Sequence, residues 1–197
     1  SPRGDDVADE PERYDMGKGA GFYVDATVAP WAANYHMYSY VTDELVKLIE
    51  GRFPVIADCK SVTGHSMGGH GALIVALKNP GSYKAASAFS PICNPMVCAW
   101  GKGCFGAYLG SDKAEWEKYD ATALIEAGAA APPLLIDQGL DDEFLEGQLY
   151  PQNLQAACKA KGVALEYREQ DGYDHSYHFI GSFIGEHIAW HAKHLKA

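Results

Sequence analysis

The pentapeptide Gly64-His65-Ser66-Met67-Gly68 follows the pattern G-x-S-x-G and decides how the rest of the chain is interpreted. Residues 60–64 before it are typical of a short strand, and residues 67–78 after it are typical of a helix. A serine at a sharp strand-to-helix turn presents its hydroxyl beyond the carboxyl end of a sheet. The turn is tight, and neighbours larger than glycine would clash in it. The context predicts Ser66 as a candidate nucleophile and the Met67 N–H as a candidate oxyanion donor.

The remaining sequence alternates strands with helices. Strands are expected at 84–90, 133–138 and 164–169, and helices at 35–50, 149–161 and 177–195. Asn34 is expected to cap the first of these helices and Gly51 to end it. Residues 1–34 are predicted to be irregular, and residues 91–132 to form an excursion with short helical pieces. This order predicts one α/β domain over residues 1–197, with a mostly parallel sheet flanked by helices.

The composition excludes several function classes. The 197 residues include 16 Lys and Arg against 26 Asp and Glu, which gives a net charge of −10, and 47% are hydrophobic. Enough apolar surface is available for a packed core, so the chain is not expected to be disordered. The negative charge argues against binding to nucleic acid or a membrane surface, and no apolar run approaches the roughly 20 residues of a membrane span.

Cysteine and histidine clusters do not predict a metal site. The five cysteines are an odd, sparse set, which favours free thiols and a cytoplasmic location. Cys93, Cys98 and Cys104 lack the C-x₂-C spacing of zinc sites. His187 and His191 are four residues apart on the last predicted helix, with His194 following, and are interpreted as exposed helix histidines. We therefore predict no metal and no cofactor.

A serine nucleophile needs a base, and the sequence offers one in the expected order. In α/β hydrolases the chain order is serine, then a carboxylate, then histidine. Asp141 and Asp142 follow the third strand, and His175 lies in the loop after the fourth, so all of them are expected at the carboxyl edge of the sheet. Adjacent aspartates point in different directions, so only one can face His175. Asp142 is the preferred choice, with Asp141 left to the turn or to solvent.

These residues belong to longer stretches that resemble the S-formylglutathione hydrolase, or esterase D, family. The matching stretches are residues 19–27, 37–42, 64–73, 91–95, 108–110, 137–139, 141–142 and 172–177. The resemblance implies an α/β-hydrolase-fold serine thioesterase that releases formate from S-formylglutathione. It implies Ser66 as nucleophile, His175 as base and Asp142 as the acid that orients it, and a homodimer. A general short-chain carboxylesterase is the alternative, and an inactive fragment of such an enzyme is another.

The chain resembles family members only from a point beyond their first strands. We therefore expect the N-terminal strands to be absent from this chain, together with a loop that would donate the second oxyanion N–H. The strand before Ser66 would then be an open sheet edge. A formyl group needs only a small acyl pocket. Trp100, Met96 and Phe144 are candidates for lining it.

Overall fold

A four-stranded parallel sheet forms the centre of the computed structural model, which describes residues 6–10 and 12–196. The strands are β1 (Val62–His65), β2 (Ala86–Phe89), β3 (Leu134–Gly139) and β4 (Leu165–Gln170). They lie in the order β1-β2-β3-β4, and every neighbouring pair is parallel. All residues of β2 and β3 are buried, as expected for central strands covered on both faces. The predicted parallel α/β sheet is confirmed, and in the described chain β1 lies at one edge.

The helices flank this sheet. They are α1 (Met37–Ser39), α2 (Leu45–Arg52), α3 (Met67–Lys78), α4 (Ala99–Leu109), α5 (Lys113–Glu117), α6 (Ala121–Glu126), α7 (Pro151–Lys161) and α8 (Tyr177–Lys196). A π-helical turn, Tyr40–Glu44, joins α1 to α2. The predicted bounds of α3 are correct, and α4, α5 and α6 are the helical pieces of the excursion. None of the helices in the described ranges has the length and hydropathy to cross a membrane.

The first predicted helix begins and ends later than expected. Asn34 ends a 3₁₀ turn instead of capping this helix, and His36 still pairs with Asp25 as an isolated bridge. Helical conformation can start only after that pairing, so α1 begins at Met37. At the other end Gly51 stays helical. The helix stops before Phe53, which precedes a proline and is therefore held in extended conformation.

Two helices cover opposite faces of β2. Side chains alternate along a strand, so Ala86 and Ala88 point one way and Ser87 and Phe89 the other. The alanine face packs against α3, whose residues Gly69–Leu77 are all buried. On the other face, the ring of Phe89 contacts Phe179 of α8. Strand β2 is therefore enclosed on both faces.

The expectation of exposed histidines on the last helix is wrong for His187 and His191. Both are buried, because their face of α8 packs on β2. The Ser87 hydroxyl lies 2.8 Å from His187 Nδ1 and 2.7 Å from His191 Nε2. A buried strand hydroxyl needs polar partners, and these two imidazoles supply them. His194, one turn further on, is partly exposed.

Residues 20–26 form an irregular segment that packs against α3 close to Ser66. His70 Nε2 donates to the Phe22 carbonyl over 3.0 Å. The ring of Tyr23 lies so close to Gly71 that a Cβ there would come within 2.5 Å of it. Burial lowers the pKa of His70 to about 4. This histidine is therefore neutral in the folded chain at pH values where the unfolded chain would bind a proton.

Acid is expected to destabilise the fold through His70. Between pH 6.5 and 4 the unfolded chain binds more protons than the folded chain, so the free energy of unfolding falls as pH falls. From pH 7 to pH 5 this residue alone contributes a loss of about 2 kcal/mol. His70→Gln keeps a donor for Phe22 but cannot titrate, so urea unfolding at both pH values should show a smaller loss. His178→Gln, at an exposed position of α8, is the control for removal of a histidine and is measured at the same two pH values.

Candidate active site

Ser66 occupies a strained turn between β1 and α3. Its backbone has φ 56° and ψ −118°, a conformation that non-glycine residues rarely adopt. The Ser66 N–H donates to the Phe89 carbonyl over 2.9 Å, and its carbonyl accepts from the His70 N–H over 3.0 Å. These bonds hold the turn between β2 and the first turn of α3. Such strain is typical of a nucleophile raised above the edge of a sheet.

Gly64 makes this turn sterically possible. A Cβ on Gly64 would lie 2.1 Å from the Gly68 carbonyl oxygen, which belongs to the helix backbone and cannot move aside. The turn therefore requires glycine at this position, two residues before the serine. This steric limit explains why the first residue of the motif is glycine.

Gly64→Ala is expected to lower the free energy of unfolding by more than about 2 kcal/mol, because the turn must open to admit the methyl group. The control is Gly51→Ala, since nothing lies within 4 Å of the Cβ that it adds in α2. That variant should be neutral or gain up to about 1 kcal/mol. Urea unfolding of the two variants measures the difference. Equal stability of both would show that the turn is not sterically limited.

Asp142, not Asp141, faces His175. An Asp142 oxygen lies 2.6 Å from His175 Nδ1, and the Asp142 side chain is fully buried. The carboxylate also accepts from the Phe144 N–H over 2.9 Å and from Gln138 Nε2 over 3.2 Å. Asp141 is exposed.

The buried carboxylate of Asp142 is expected to stay ionised. Burial alone would raise the pKa of Asp142, but the hydrogen bonds from His175 and from the Phe144 N–H outweigh it and lower the pKa below its usual value. An ionised carboxylate accepts a hydrogen bond from the Nδ1–H of a histidine and thereby fixes its ring. The other ring nitrogen is left to act as a base.

The loops that carry these two residues are joined by their backbones. The Asp141 N–H donates to the Tyr173 carbonyl over 3.0 Å. A Cβ on Gly139, at the end of β3, would lie 2.3 Å from the same oxygen, so only glycine permits this approach. The turn after β3 and the loop after β4 therefore form one unit.

One cavity brings Ser66, Met67 and His175 together. It has a volume of about 290 Å³, and its lining includes Trp100 and Phe144 as predicted. Met96 does not line it, but lies beside a different cavity with Glu117 and Thr122, so this prediction is wrong. A cavity of about 310 Å³ beside β1 contains none of the three residues. We therefore take the cavity at Ser66 as the candidate site.

The sequence patterns missed part of this lining. The irregular segment before α1 contributes Tyr14, Asp15, Gly19, Ala20 and Phe22. Tyr14 packs edge-on against Trp100, with ring centroids 5.7 Å apart. Irregular residues carry no periodic signal. The signal available was the family match at residues 19–27.

Met67 is the first residue of α3, and it lines the cavity beside Ser66. The N–H groups in the first turn of a helix have no partners within the helix. The partial positive charge at this end of a 12-residue helix favours an anion there. These features fit the predicted donor role of Met67, which stays a prediction.

No metal-binding group of three or more His, Cys, Asp or Glu side chains occurs in the described part of the chain. All five cysteines are free thiols. Cys93, Cys98 and Cys104 are buried, and burial raises the pKa of each of these thiols. Buried thiols with raised pKa values are poor nucleophiles. The candidate chemistry of the site thus rests on the hydroxyl, the imidazole and the carboxylate.

A parallel sheet flanked by helices, with a serine turn after β1 and carboxylate and histidine loops after β3 and β4, defines an α/β-hydrolase fold. A family model described as "Putative esterase" matches residues 1–190. An S-formylglutathione hydrolase of Mus musculus is 57% identical over 199 residues, which cover 100% of this chain and 71% of the mouse protein. The chain belongs to the S-formylglutathione hydrolase family.

Two further comparisons agree with this family. An S-formylglutathione hydrolase of Bos taurus is 56% identical, again over 100% of this chain and 71% of the relative. The structure of an S-formylglutathione hydrolase from Agrobacterium tumefaciens superimposes with a TM-score of 0.97 at 51% identity. That match covers 99% of this chain and 70% of the solved one.

Proposed function

We propose that this chain carries the site of a serine thioesterase that hydrolyses S-formylglutathione to glutathione and formate. Ser66 is the nucleophile, His175 the base and Asp142 the residue that orients the base. The observation that carries the proposal is the 2.6 Å contact between Asp142 and His175 Nδ1, with His175 lining the same cavity as Ser66. The names of relatives at 57% and 56% identity support the choice of substrate.

In the first half-reaction the formyl group is transferred from the glutathione sulfur to the serine oxygen. His175 takes the proton of the Ser66 hydroxyl as Oγ attacks the formyl carbon, and the carbonyl electrons move to oxygen. The Met67 N–H and the positive end of α3 stabilise this oxyanion. When the intermediate collapses, the C–S bond breaks. Glutathione leaves as a thiol after taking the proton from the imidazolium.

The second half-reaction restores the enzyme. His175 removes a proton from water as the water oxygen attacks the formyl ester, and the Oγ–C bond breaks with return of that proton to Ser66. The product is formic acid, which loses its remaining proton to water and becomes formate. Asp142 stays ionised throughout and stabilises the imidazolium in both halves.

The general short-chain carboxylesterase remains the second candidate, because the matching family model is described only as an esterase. Both reactions use the same three residues. The ratio of kcat/KM on S-formylglutathione to that on p-nitrophenyl acetate separates them, since a thioesterase built for glutathione should strongly prefer the former. The homodimer and the cytoplasmic location stay predictions, and the free thiols favour the latter.

Ser66→Ala is expected to reduce thioester hydrolysis by at least about 10³-fold, because the variant lacks the hydroxyl that forms the formyl ester in the proposed mechanism. Mass spectrometry after treatment with an alkyl fluorophosphonate should find the label on Ser66. Ser182→Ala, at an exposed position of α8, is the control and should keep full activity and labelling. Label on another residue, or an active Ser66→Ala variant, would refute the assignment. A folded wild-type chain with neither label nor activity would favour the inactive-fragment alternative.

A further inference from the structure

We propose that His65, the residue before the predicted nucleophile, is a positioning residue that ties the base His175 to the strand that carries Ser66. The inference rests on the proposed function, because it assigns a partner to the base of that mechanism. The His65 ring lies against the His175 ring, with centroids 4.5 Å apart and planes inclined at 42°. His65 and His175 also line the same cavity as Ser66.

The sheet order explains why such a tie is needed. Ser66 follows β1, whereas His175 follows β4, and these strands lie at opposite ends of the described sheet. Asp142 secures His175 to the loop after β3 and provides no link to β1. His65 is the last residue of β1 and precedes Ser66 directly. Its contact with His175 therefore fixes the base relative to the nucleophile across two intervening strands.

The imidazole of His175 is held at more than one point. Asp142 fixes Nδ1, but a single hydrogen bond leaves the ring free to pivot about it. The Phe144 ring packs edge-on against His175, with centroids 4.9 Å apart, and the His65 ring supplies a further contact. A misplacement of about 1 Å in such a constellation can cost roughly 10²-fold in rate. Contacts that restrict the ring should therefore act on kcat.

His65 is suited to hold the base and not to replace it. Burial and the nearby His175 lower the pKa of His65 to about 4, against a smaller opposing effect of Asp142. His65 Nε2 is buried and finds no hydrogen-bond partner among the described residues. A neutral ring of such low basicity neither takes the Ser66 proton nor adds a like charge beside the imidazolium.

A pair of substitutions tests the ring contact. His65→Ala removes the ring that packs against His175, whereas His65→Phe keeps an aromatic ring there. We expect His65→Ala to lower kcat on S-formylglutathione by about 10–100-fold with KM nearly unchanged. His65→Phe should recover most of that loss. His36→Ala, at an exposed position outside the cavity, is the control for removal of a histidine ring.

The rate of Ser66 labelling by an alkyl fluorophosphonate provides a readout that does not depend on the natural substrate. The order of rates should be wild type, then His65→Phe, then His65→Ala, and urea unfolding gives the stability of each variant. The inference is overturned if His65→Ala labels at the wild-type rate. It is also overturned if both variants lose rate only in proportion to lost stability. An active Ser66→Ala variant would instead remove the proposed function itself, whatever the His65 variants do.

Discussion

The hydrogen bond between Asp142 and His175 joins two loops that are distant in the chain, and the remaining parts of the site are arranged around it. An ionised carboxylate buried in a protein is costly unless it is paired and hydrogen-bonded. Here the imidazole, the Phe144 N–H and the Gln138 amide provide these partners. Loss of the imidazole alone would leave a buried charge underpaired. The pairing therefore stabilises the loops and orients the base through the same contact.

The sheet supplies the frame for this pair through close backbone approaches. Gly64 lets β1 turn directly into α3, and Gly139 lets the turn after β3 touch the loop before α8. Both glycines lie where a Cβ would meet a backbone carbonyl. The helix α3 begins at the turn, and its first residue, Met67, lines the cavity that Ser66 and His175 share. The steric limits at Gly64 and Gly139 thus determine where the hydroxyl, the carboxylate and the imidazole can meet.

Local patterns predicted the elements that position the site. The four parallel strands and the bounds of α3 follow from short apolar runs and from the glycines around Ser66. The choice of Asp142 over Asp141 followed from the family resemblance and from the rule that adjacent side chains diverge, and the contact with His175 agrees with it. The roles of the three residues remain predictions until they are tested by substitution.

The features that the patterns missed depend on tertiary contacts. Residues 91–132 carry no clear period, so the sequence could not show that Trp100 lines the site cavity while Met96 lies beside another. The buried imidazoles of His187 and His191 both contact Ser87, a single hydroxyl in an apolar strand 100 residues from His187 in the chain. A polar residue inside a predicted buried strand was the available signal that some partner must cover it.

The most direct test of this account is proton NMR of the chain with ¹⁵N-labelled histidine. The account predicts a downfield Nδ1–H resonance that is absent from His175→Gln, which assigns it to His175. The same resonance should disappear or move strongly upfield in Asp142→Asn and stay in place in Asp141→Asn. An unchanged resonance in Asp142→Asn, or its loss in Asp141→Asn, would contradict the claim that Asp142 holds and orients the base.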